Sequence, residues 1–356
     1  MTLEDLGFNE DLNRYKTANE LTDFETGRIS QEHKERYIVK TADGEYDAEI
    51  TGSLRYSAES RADFPAVGDW VAITICDSDF AVINKIYPRK SVLERQAVAK
   101  FAEVQIIAAN IDHVFIANSV FKDFNLNRIE RYLTICNVAK IEPIVLLTKT
   151  DLIEESELDD IITSIENRVK NILVIAISSE TKSGYDNLIS ILQKSKTYCF
   201  IGSSGVGKST LINNLTGKDN LKTGEISTST NKGRHITSHR ELIILENGSI
   251  LIDTPGMREI GIADTSDGLE TTFDEIIKLS EKCRFSDCTH TTEKGCAVLE
   301  AMENGTLDRD IYKNFMKMER EKIHFQSSIF EKRKRDKEFG KMVKEYKKLK
   351  KDNRLK

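Results

Sequence analysis

Residues 197–211 read Thr197-Tyr198-Cys199-Phe200-Ile201-Gly202-Ser203-Ser204-Gly205-Val206-Gly207-Lys208-Ser209-Thr210-Leu211. A short apolar strand, Tyr198 to Ile201, runs into Gly202-x4-Gly207-Lys208-Ser209, and the amphipathic segment Leu211-Ile212-Asn213-Asn214-Leu215 follows. Strand, glycine-rich loop and helix in that order form a phosphate-binding P-loop. Gly202, Gly205 and Gly207 let the backbone curl so that N–H groups between Gly202 and Thr210, those of Ser203, Ser204 and Val206 included, point inward at phosphate oxygens. The helix adds its positive N-terminal end to the same anion. Lys208 can reach the β- and γ-phosphates as a catalytic cation, and the Ser209 hydroxyl can ligate Mg²⁺. The stretch predicts a nucleoside triphosphate as ligand.

A chain of 356 residues has room for two or three domains. With 39% hydrophobic and 31% charged residues it reads as soluble and globular. Its first residues, Met1-Thr2-Leu3-Glu4-Asp5-Leu6-Gly7, show neither a basic nor an apolar leader segment, and no apolar run approaches a membrane span. The expected location is therefore the cytoplasm, with no membrane partner. Six cysteines are present, three of them within residues 283–296. In a reducing compartment that cluster points to a metal rather than to disulfides. Cys76, Cys136 and Cys199 stand singly in apolar surroundings and read as small buried thiols. The net charge of −6 hides an asymmetry: residues 331–356 carry 13 Lys/Arg against 5 Asp/Glu, a basic tail on an acidic body. Such a tail suggests a polyanionic partner.

Residues 1–36 are acid-rich and weakly periodic. From Tyr37 to about Val92 come short alternating segments, Tyr37 to Val39, Tyr46 to Ile50, Trp70 to Thr74 and Phe80 to Ile83, separated by turn signals. Several short strands at this spacing predict a small antiparallel barrel of the oligonucleotide-binding (OB) kind. Trp70 could stack on a base or fill the barrel core. From about Val104 strands and helices alternate: His113 to Ala117 and Ile144 to Leu147 as strands, Leu126 to Val138 and Glu155 to Val169 as helices. The strand Ile172 to Ile177, the helix Tyr185 to Leu192 and the P-loop unit follow, and then Glu241 to Glu246 pairs with Ser249 to Asp253 around Asn247-Gly248. This rhythm predicts a mostly parallel sheet covered on both faces, with His113 in its core.

Two more loops follow predicted strands. Asp253-Thr254-Pro255-Gly256 suits the Mg²⁺ side of a phosphate site, Asp253 holding the metal through water and the Gly256 N–H meeting the γ-phosphate. Thr148-Lys149-Thr150-Asp151 suits a base pocket. A carboxylate there accepts from the N1–H and N2 amine of guanine, donors that adenine lacks; Asp151 fits that role, with the Lys149 stem packing on the base. Ser178-Ser179 could offer backbone N–H to the guanine oxygen. Further on, Cys283-x4-Cys288-x-His290-x5-Cys296 supplies three thiolates and an imidazole, a tetrahedral Zn²⁺ set with no open position and hence one structural ion.

The order of these motifs is unlike that of Ras-like chains, where the P-loop comes first and the base motif fourth. Here the base motifs at 148 and 178 precede the P-loop at 202, and Asp253-Thr254-Pro255-Gly256 comes last, so the chain resembles a circularly permuted GTPase. Barrel, permuted domain and zinc motif together are similar to the ribosome small-subunit-dependent GTPase A family, over about residues 37–300. The resemblance implies a multidomain fold: an N-terminal extension (1–36), an OB-like β-barrel (37–96), a central α/β circularly permuted P-loop GTPase domain (97–282), and a zinc-binding helical domain with a basic tail (283–356). It implies a monomeric GTP hydrolase that binds GTP and GDP, binds the 30S ribosomal subunit and its rRNA late in maturation, and leaves after hydrolysis.

The resemblance also makes Gly233-Arg234-His235-Ile236-Thr237 the switch I region, with Thr237 closing on Mg²⁺ and the γ-phosphate and His235 near the attacking water. From residue chemistry alone these are polar loop residues. Two departures stand out: Ile236-Thr237 replaces the family's usual pair of threonines, and Thr148 replaces the common Asn of the base motif and leaves room for looser loop packing. Met257 stands where Ras-like enzymes orient water with Gln, a hydrophobic substitution that the resemblance itself implies. Other readings stay open. A GTP-dependent rRNA-binding switch or placeholder with negligible hydrolysis is compatible with Met257, and an ATP-using metal chaperone is opposed by Asp151. The tail, Glu331 to Lys356, could be a solvated helix packed on its own domain or an rRNA-contacting arm.

Overall fold

The computed structural model describes residues 1–33, 36–96, 104–121, 124–217, 240–253, 266–323 and 334. The barrel strands are β1 (Glu25–His33), β2 (Arg36–Lys40), β3 (Glu45–Ile50), β4 (Trp70–Ile75) and β5 (Phe80–Ile86). They run in the order β1-β2-β3-β5-β4, and β4 returns to pair with β1, which closes the sheet. Alternate residues such as Ile29, Val39, Val71, Ile73 and Ile83 fill its interior and are fully buried. A short helix follows β3 (α2, Gly52–Ser57) and precedes β4.

The barrel begins twelve residues before the expected boundary at Tyr37, so residues 1–36 are not a separate extension. β1 escapes a hydropathy reading because its second face is polar and yet buried: Thr26, Arg28 and Ser30 are at most 3% exposed. Each has a partner. Thr26 Oγ1 bonds the Tyr87 hydroxyl (3.2 Å), and Ser30 donates to Ile38 O (3.2 Å). Arg28 donates to the carbonyls of Leu6 (2.7 Å), Gly68 (3.1 Å) and Asn110 (3.0 Å) and lies over the Trp70 ring. Burial pushes its guanidinium down to about 10, which leaves it charged at neutral pH. Residues ahead of β1 close the end of the barrel. Helix α1 (Glu10–Ala18), capped by the Asn9 side chain, brings Leu12 and Tyr15 against Trp70 and Tyr87, and Phe8 meets Trp70 edge-on at 5.1 Å. Trp70 is 2% exposed and is therefore a packing residue, not a stacking platform.

The next strand, β6 (Val92–Gln96), lies inside the expected barrel span but pairs with β7 (Val104–Ala109) in a separate hairpin. The central sheet follows: β8 (His113–Ser119), β9 (Glu142–Thr148), β10 (Leu173–Ala176), β11 (Thr197–Gly202), β12 (Glu241–Ile244) and β13 (Ile250–Asp253), in the order β10-β9-β8-β11-β13-β12. All are parallel except β12. Helices α3 (Leu126–Ala139) and α4 (Glu155–Arg168) cover one face, and α5 (Tyr185–Ile191) and α6 (Lys208–Thr216) the other. β12 also pairs with β1 at Gln31 and Glu241, so barrel and central sheet are hydrogen-bonded to each other. His113 opens β8, partly buried, with its ring stacked on Tyr198 at 5.1 Å. Cys136 and Cys199 are buried as expected; Cys76 is exposed, because it stands one residue past the end of β4, where the strand leaves the barrel.

The C-terminal helices α7 (Ser266–Thr272), α8 (Asp274–Ser280), α9 (Ala297–Glu303) and the helical residues 309–323 share their own core around Phe273, Ile276, Val298 and Phe315. That core starts at Leu269, well before the expected boundary at 283. It docks on α3 through the close approach of α7, where a Cβ on Gly268 would lie 2.4 Å from Val138 Cγ2 and 2.5 Å from Thr134 O, and through polar contacts. Buried Glu130 accepts a bidentate pair from Arg168 (2.7 and 3.0 Å) and the Asn314 amide, and Arg131 pairs with Glu321. Among the described residues no helix is long and apolar enough to cross a membrane. Apart from Lys334, the basic tail lies outside the described residues.

Trp70→Ala should lower the stability of the barrel by about 3–5 kcal/mol, the usual cost of removing a fully buried large aromatic. Urea unfolding followed in the barrel measures it, and a loss under about 1 kcal/mol would contradict the packing role.

Candidate nucleotide site and metal centre

Because β8, β9, β10, β11 and β13 are parallel, their C-terminal ends share one edge of the sheet. Loops at such an edge form the binding crevice of open α/β sheets. Thr148 ends β9, Gly202 ends β11 and Asp253 ends β13, while Ser178 follows β10 by two residues. The permuted order along the chain is undone in space.

The P-loop has the backbone its glycines predict. Gly202, Gly205 and Gly207 have φ of +147°, +80° and +95°. A Cβ on Gly202 would lie 2.3 Å from Ala117 O of β8, so any side chain there would push the two strands apart. Gly207 caps α6, whose first residue is Lys208. The Lys208 ammonium donates to Gly202 O and Ser203 O at 2.7 Å each, folded back over the loop it would share with phosphates. Ser209 and Thr210 occupy the first turn of α6, where orphan N–H groups and the helix dipole favour an anion.

The loop expected to read the base is tied to this cradle. Thr148 is 4% exposed, and its hydroxyl donates to Val206 O at 2.7 Å, with Asn118 O at 3.3 Å. The substitution at this position thus leaves no looseness: the threonine hydroxyl bridges the two loops directly. Lys149 has φ of +62° and starts the 3₁₀ turn Thr150–Leu152, which carries exposed Asp151. Ser178 donates to Asp151 Oδ1 at 2.6 Å and so fixes the carboxylate. The Ser178 N–H is already taken by Ser183 O (3.0 Å), which leaves Ser179 as the backbone donor of that loop. The residues expected to form switch I, Gly233 to Thr237 with His235 and Thr237 among them, and Thr254, Pro255, Gly256 and Met257 lie outside the described residues.

The second centre is the cysteine cluster. Ligand atoms of Cys283, Cys288, His290 and Cys296 all lie within 4.8 Å of one another. Cys283 and Cys296 sulfurs are 3.8 Å apart, and His290 Nδ1 is 3.6 and 3.4 Å from them. A tetrahedral ion with bonds of about 2.3 Å to sulfur and about 2.05 Å to nitrogen requires separations of about 3.8 and 3.6 Å, so the side chains fit such an ion. Burial pushes the His290 imidazole below its usual range, which favours the neutral ligand form. Burial raises the Cys288 thiol to about 11. At Cys283 burial also opposes ionisation, but the N–H groups of Ala297 and Val298 and the neighbouring thiols outweigh it and the thiol falls below its ordinary value. The loop is shaped by Glu293, which accepts N–H bonds from Thr289, Thr291 and Thr292. The Thr289 hydroxyl first, then the amides of Thr292 and Thr289, hold its carboxyl below the usual carboxylate range. The Tyr312 hydroxyl donates to His290 O at 2.6 Å and links the loop to the last helix.

A P-loop, a base loop and a strand-end aspartate on one parallel edge, met in this chain order, define a circularly permuted GTPase. The family model for RsgA GTPases matches residues 86–263. A model for ABC transporters also matches residues 185–346, a span that includes the P-loop common to many nucleotide-binding classes. Small ribosomal subunit biogenesis GTPase RsgA 1 of Bacteroides thetaiotaomicron is 41% identical over 97% of this chain and 96% of its own length. RsgA 2 of Lactiplantibacillus plantarum is 46% identical over 83% of this chain and 82% of its own. Among solved structures, YloQ, a circularly permuted GTPase, aligns with a TM-score of 0.60 at 25% identity over 85% of this chain and 96% of its own, and YjeQ from Thermotoga maritima shares the fold with a TM-score of 0.62 at 24% identity, over 84% and 98%. The chain belongs to the RsgA family of GTPases.

Metal removal tests the second centre. Cys288→Ser, or chelation of the intact protein, should melt the C-terminal helices in a separate, earlier transition while nucleotide binding survives. An unchanged melting profile after complete metal loss, verified by elemental analysis, would contradict a structural role.

Proposed function

We propose that this GTPase binds the 30S ribosomal subunit, assists its late maturation, and leaves when GTP is hydrolysed. Backbone N–H groups from Gly202 to Thr210 hold the phosphates, with Lys208 over the β- and γ-groups. Ser209 and Thr237 would hold Mg²⁺, with Asp253 behind water; the ion supplies charge neutralisation at the phosphates. Lys149 and Asp151 read guanine, Ser179 offers its N–H to the ring oxygen, and His235 lies near the attacking water. Zinc is the proposed ion of the Cys283-Cys288-His290-Cys296 set, in a structural role. The basic tail and the barrel grip rRNA, Trp70 excepted. The working protein is a cytoplasmic monomer built of a barrel from residue 25 to 86, a hairpin, the GTPase sheet from 113 to 253, and a C-terminal unit from 266 onward.

The observation that supports the nucleotide-binding part of this reading is the bond from Thr148 to Val206 O, which ties the loop after β9 to the phosphate loop. Asp151→Asn tests the pocket: the amide donates where the carboxylate accepted, so GTP should lose and xanthosine triphosphate gain affinity. Selectivity unchanged by that substitution would sink the base assignment. Turnover measured with and without purified 30S subunits tests the rest, with stimulation expected because Met257 cannot orient water. A rate indifferent to 30S would count against the proposed partner.

A further inference from the structure

We infer that Tyr185 is a positioning residue for guanine recognition, its hydroxyl bracing the Ser178–Ser179 loop against helix α6 behind the P-loop. The inference rests on the base-pocket reading given above. Ser178 is locked by its own bonds: its Oγ accepts from the N–H groups of Glu180 (3.2 Å) and Thr181 (3.1 Å) and donates to Asp151. Ser179 is held differently. Its side chain meets the Tyr185 hydroxyl at 3.1 Å, and that hydroxyl accepts from the Asn214 amide at 2.9 Å.

An amide nitrogen only donates, so the Tyr185 oxygen is the acceptor there and its proton is available to Ser179 Oγ. The Asn214 amide thus donates to Tyr185, and in the Tyr185–Ser179 bond either hydroxyl can be the donor. Tyr185 can serve because it cannot wander. It is 8% exposed, shares a core cluster with Leu188, Leu211 and Ile212, and has the Lys182 ammonium 5.2 Å from its ring centre. Gly184, with φ of +75°, presses the start of α5 against β10: a Cβ there would stand 2.0 Å from Ala176 O.

Two loops contact the base, and each is now anchored to the phosphate-binding unit by one hydroxyl. Thr148 ties the β9 loop to Val206, and Tyr185 ties the β10 loop to Asn214. A backbone N–H can select a ring oxygen only if it is held within about 0.5 Å of the productive place. Releasing Tyr185 should therefore blur recognition at that oxygen and leave the Asp151 contacts alone.

The test is calorimetric titration of the full chain with GDP, inosine diphosphate and 6-thioguanosine diphosphate. The last replaces the ring oxygen with sulfur, a weak acceptor, and keeps the groups that Asp151 reads. Tyr185→Phe keeps the ring and removes the hydroxyl. It should weaken GDP roughly three- to tenfold and shrink the preference for GDP over the thio analogue, with the preference over inosine diphosphate unchanged. GTP KM should rise at constant kcat. Asn214→Ala should act in the same direction, and the double variant should be no weaker than Tyr185→Phe within about twofold, as for residues in one chain of bonds. If the parent discriminates but Tyr185→Phe weakens all three ligands equally, or none, the inference fails alone. A parent that binds GDP and inosine diphosphate equally would overturn the base-pocket assignment and this inference with it.

Discussion

Parallel strands must all point the same way, and that constraint organises the molecule. Once β8, β9, β10, β11 and β13 are packed side by side, the loops leaving them have one edge to share. The position of a motif along the chain then ceases to matter, and a permuted order yields the same crevice as an ordinary one. Strand spacing at the centre is enforced by Gly202, whose backbone approaches Ala117 O too closely for any side chain. The motifs are thereby brought within hydrogen-bond reach of each other, and the bonds Thr148–Val206 and Ser178–Asp151 follow.

Around that sheet the other parts are attached in two different ways. The barrel is joined through backbone groups: the Arg28 guanidinium ties the carbonyls of Leu6, Gly68 and Asn110 into one point, and β12 continues the sheet into β1. Asp112 extends the junction by accepting from the N–H of Thr197, the first residue of the P-loop strand. The C-terminal unit is joined to α3, by the Asn314 amide on Glu130, which Arg168 of α4 also pairs, and by Arg131 with Glu321. Helix α7 also packs closely on α3, where a Cβ on Gly268 would lie 2.4 Å from Val138 Cγ2 and 2.5 Å from Thr134 O. In the chain, residue 253 at the end of β13 is followed within about a dozen residues by the first helix of this unit.

Much of this was legible in the residues because it depends on local pattern. The P-loop spacing, the alternation of strand and helix from Val104 and the Cys3His spacing each carry their geometry within a few residues. Strand β1 was not legible, since Thr26, Arg28 and Ser30 owe their burial to distant partners such as Tyr87 and Leu6. The start of the C-terminal unit was missed for a similar reason: the metal motif at Cys283 draws attention, whereas the core that it staples begins at Leu269. Cys76 was misread because an apolar strand continues up to the residue before it. Thr148 reads as a weakened base motif until its hydroxyl meets Val206, and Tyr185 reads only as the start of a helix. Both contacts join residues far apart in sequence, and no spacing rule reveals them.

If nucleotide state is transmitted from the phosphate edge to the C-terminal unit, it must change how strongly the protein holds its partner, because a ligand shifts a conformational equilibrium only by its differential affinity for the two states. The direct measurement is the affinity of the full chain for purified 30S subunits with a non-hydrolysable GTP analogue and with GDP, at one fixed salt concentration because phosphate contacts are salt-sensitive. The account predicts distinctly tighter binding with the GTP analogue. Equal affinities would leave a ribosome-binding protein with an uncoupled GTPase, and would contradict it.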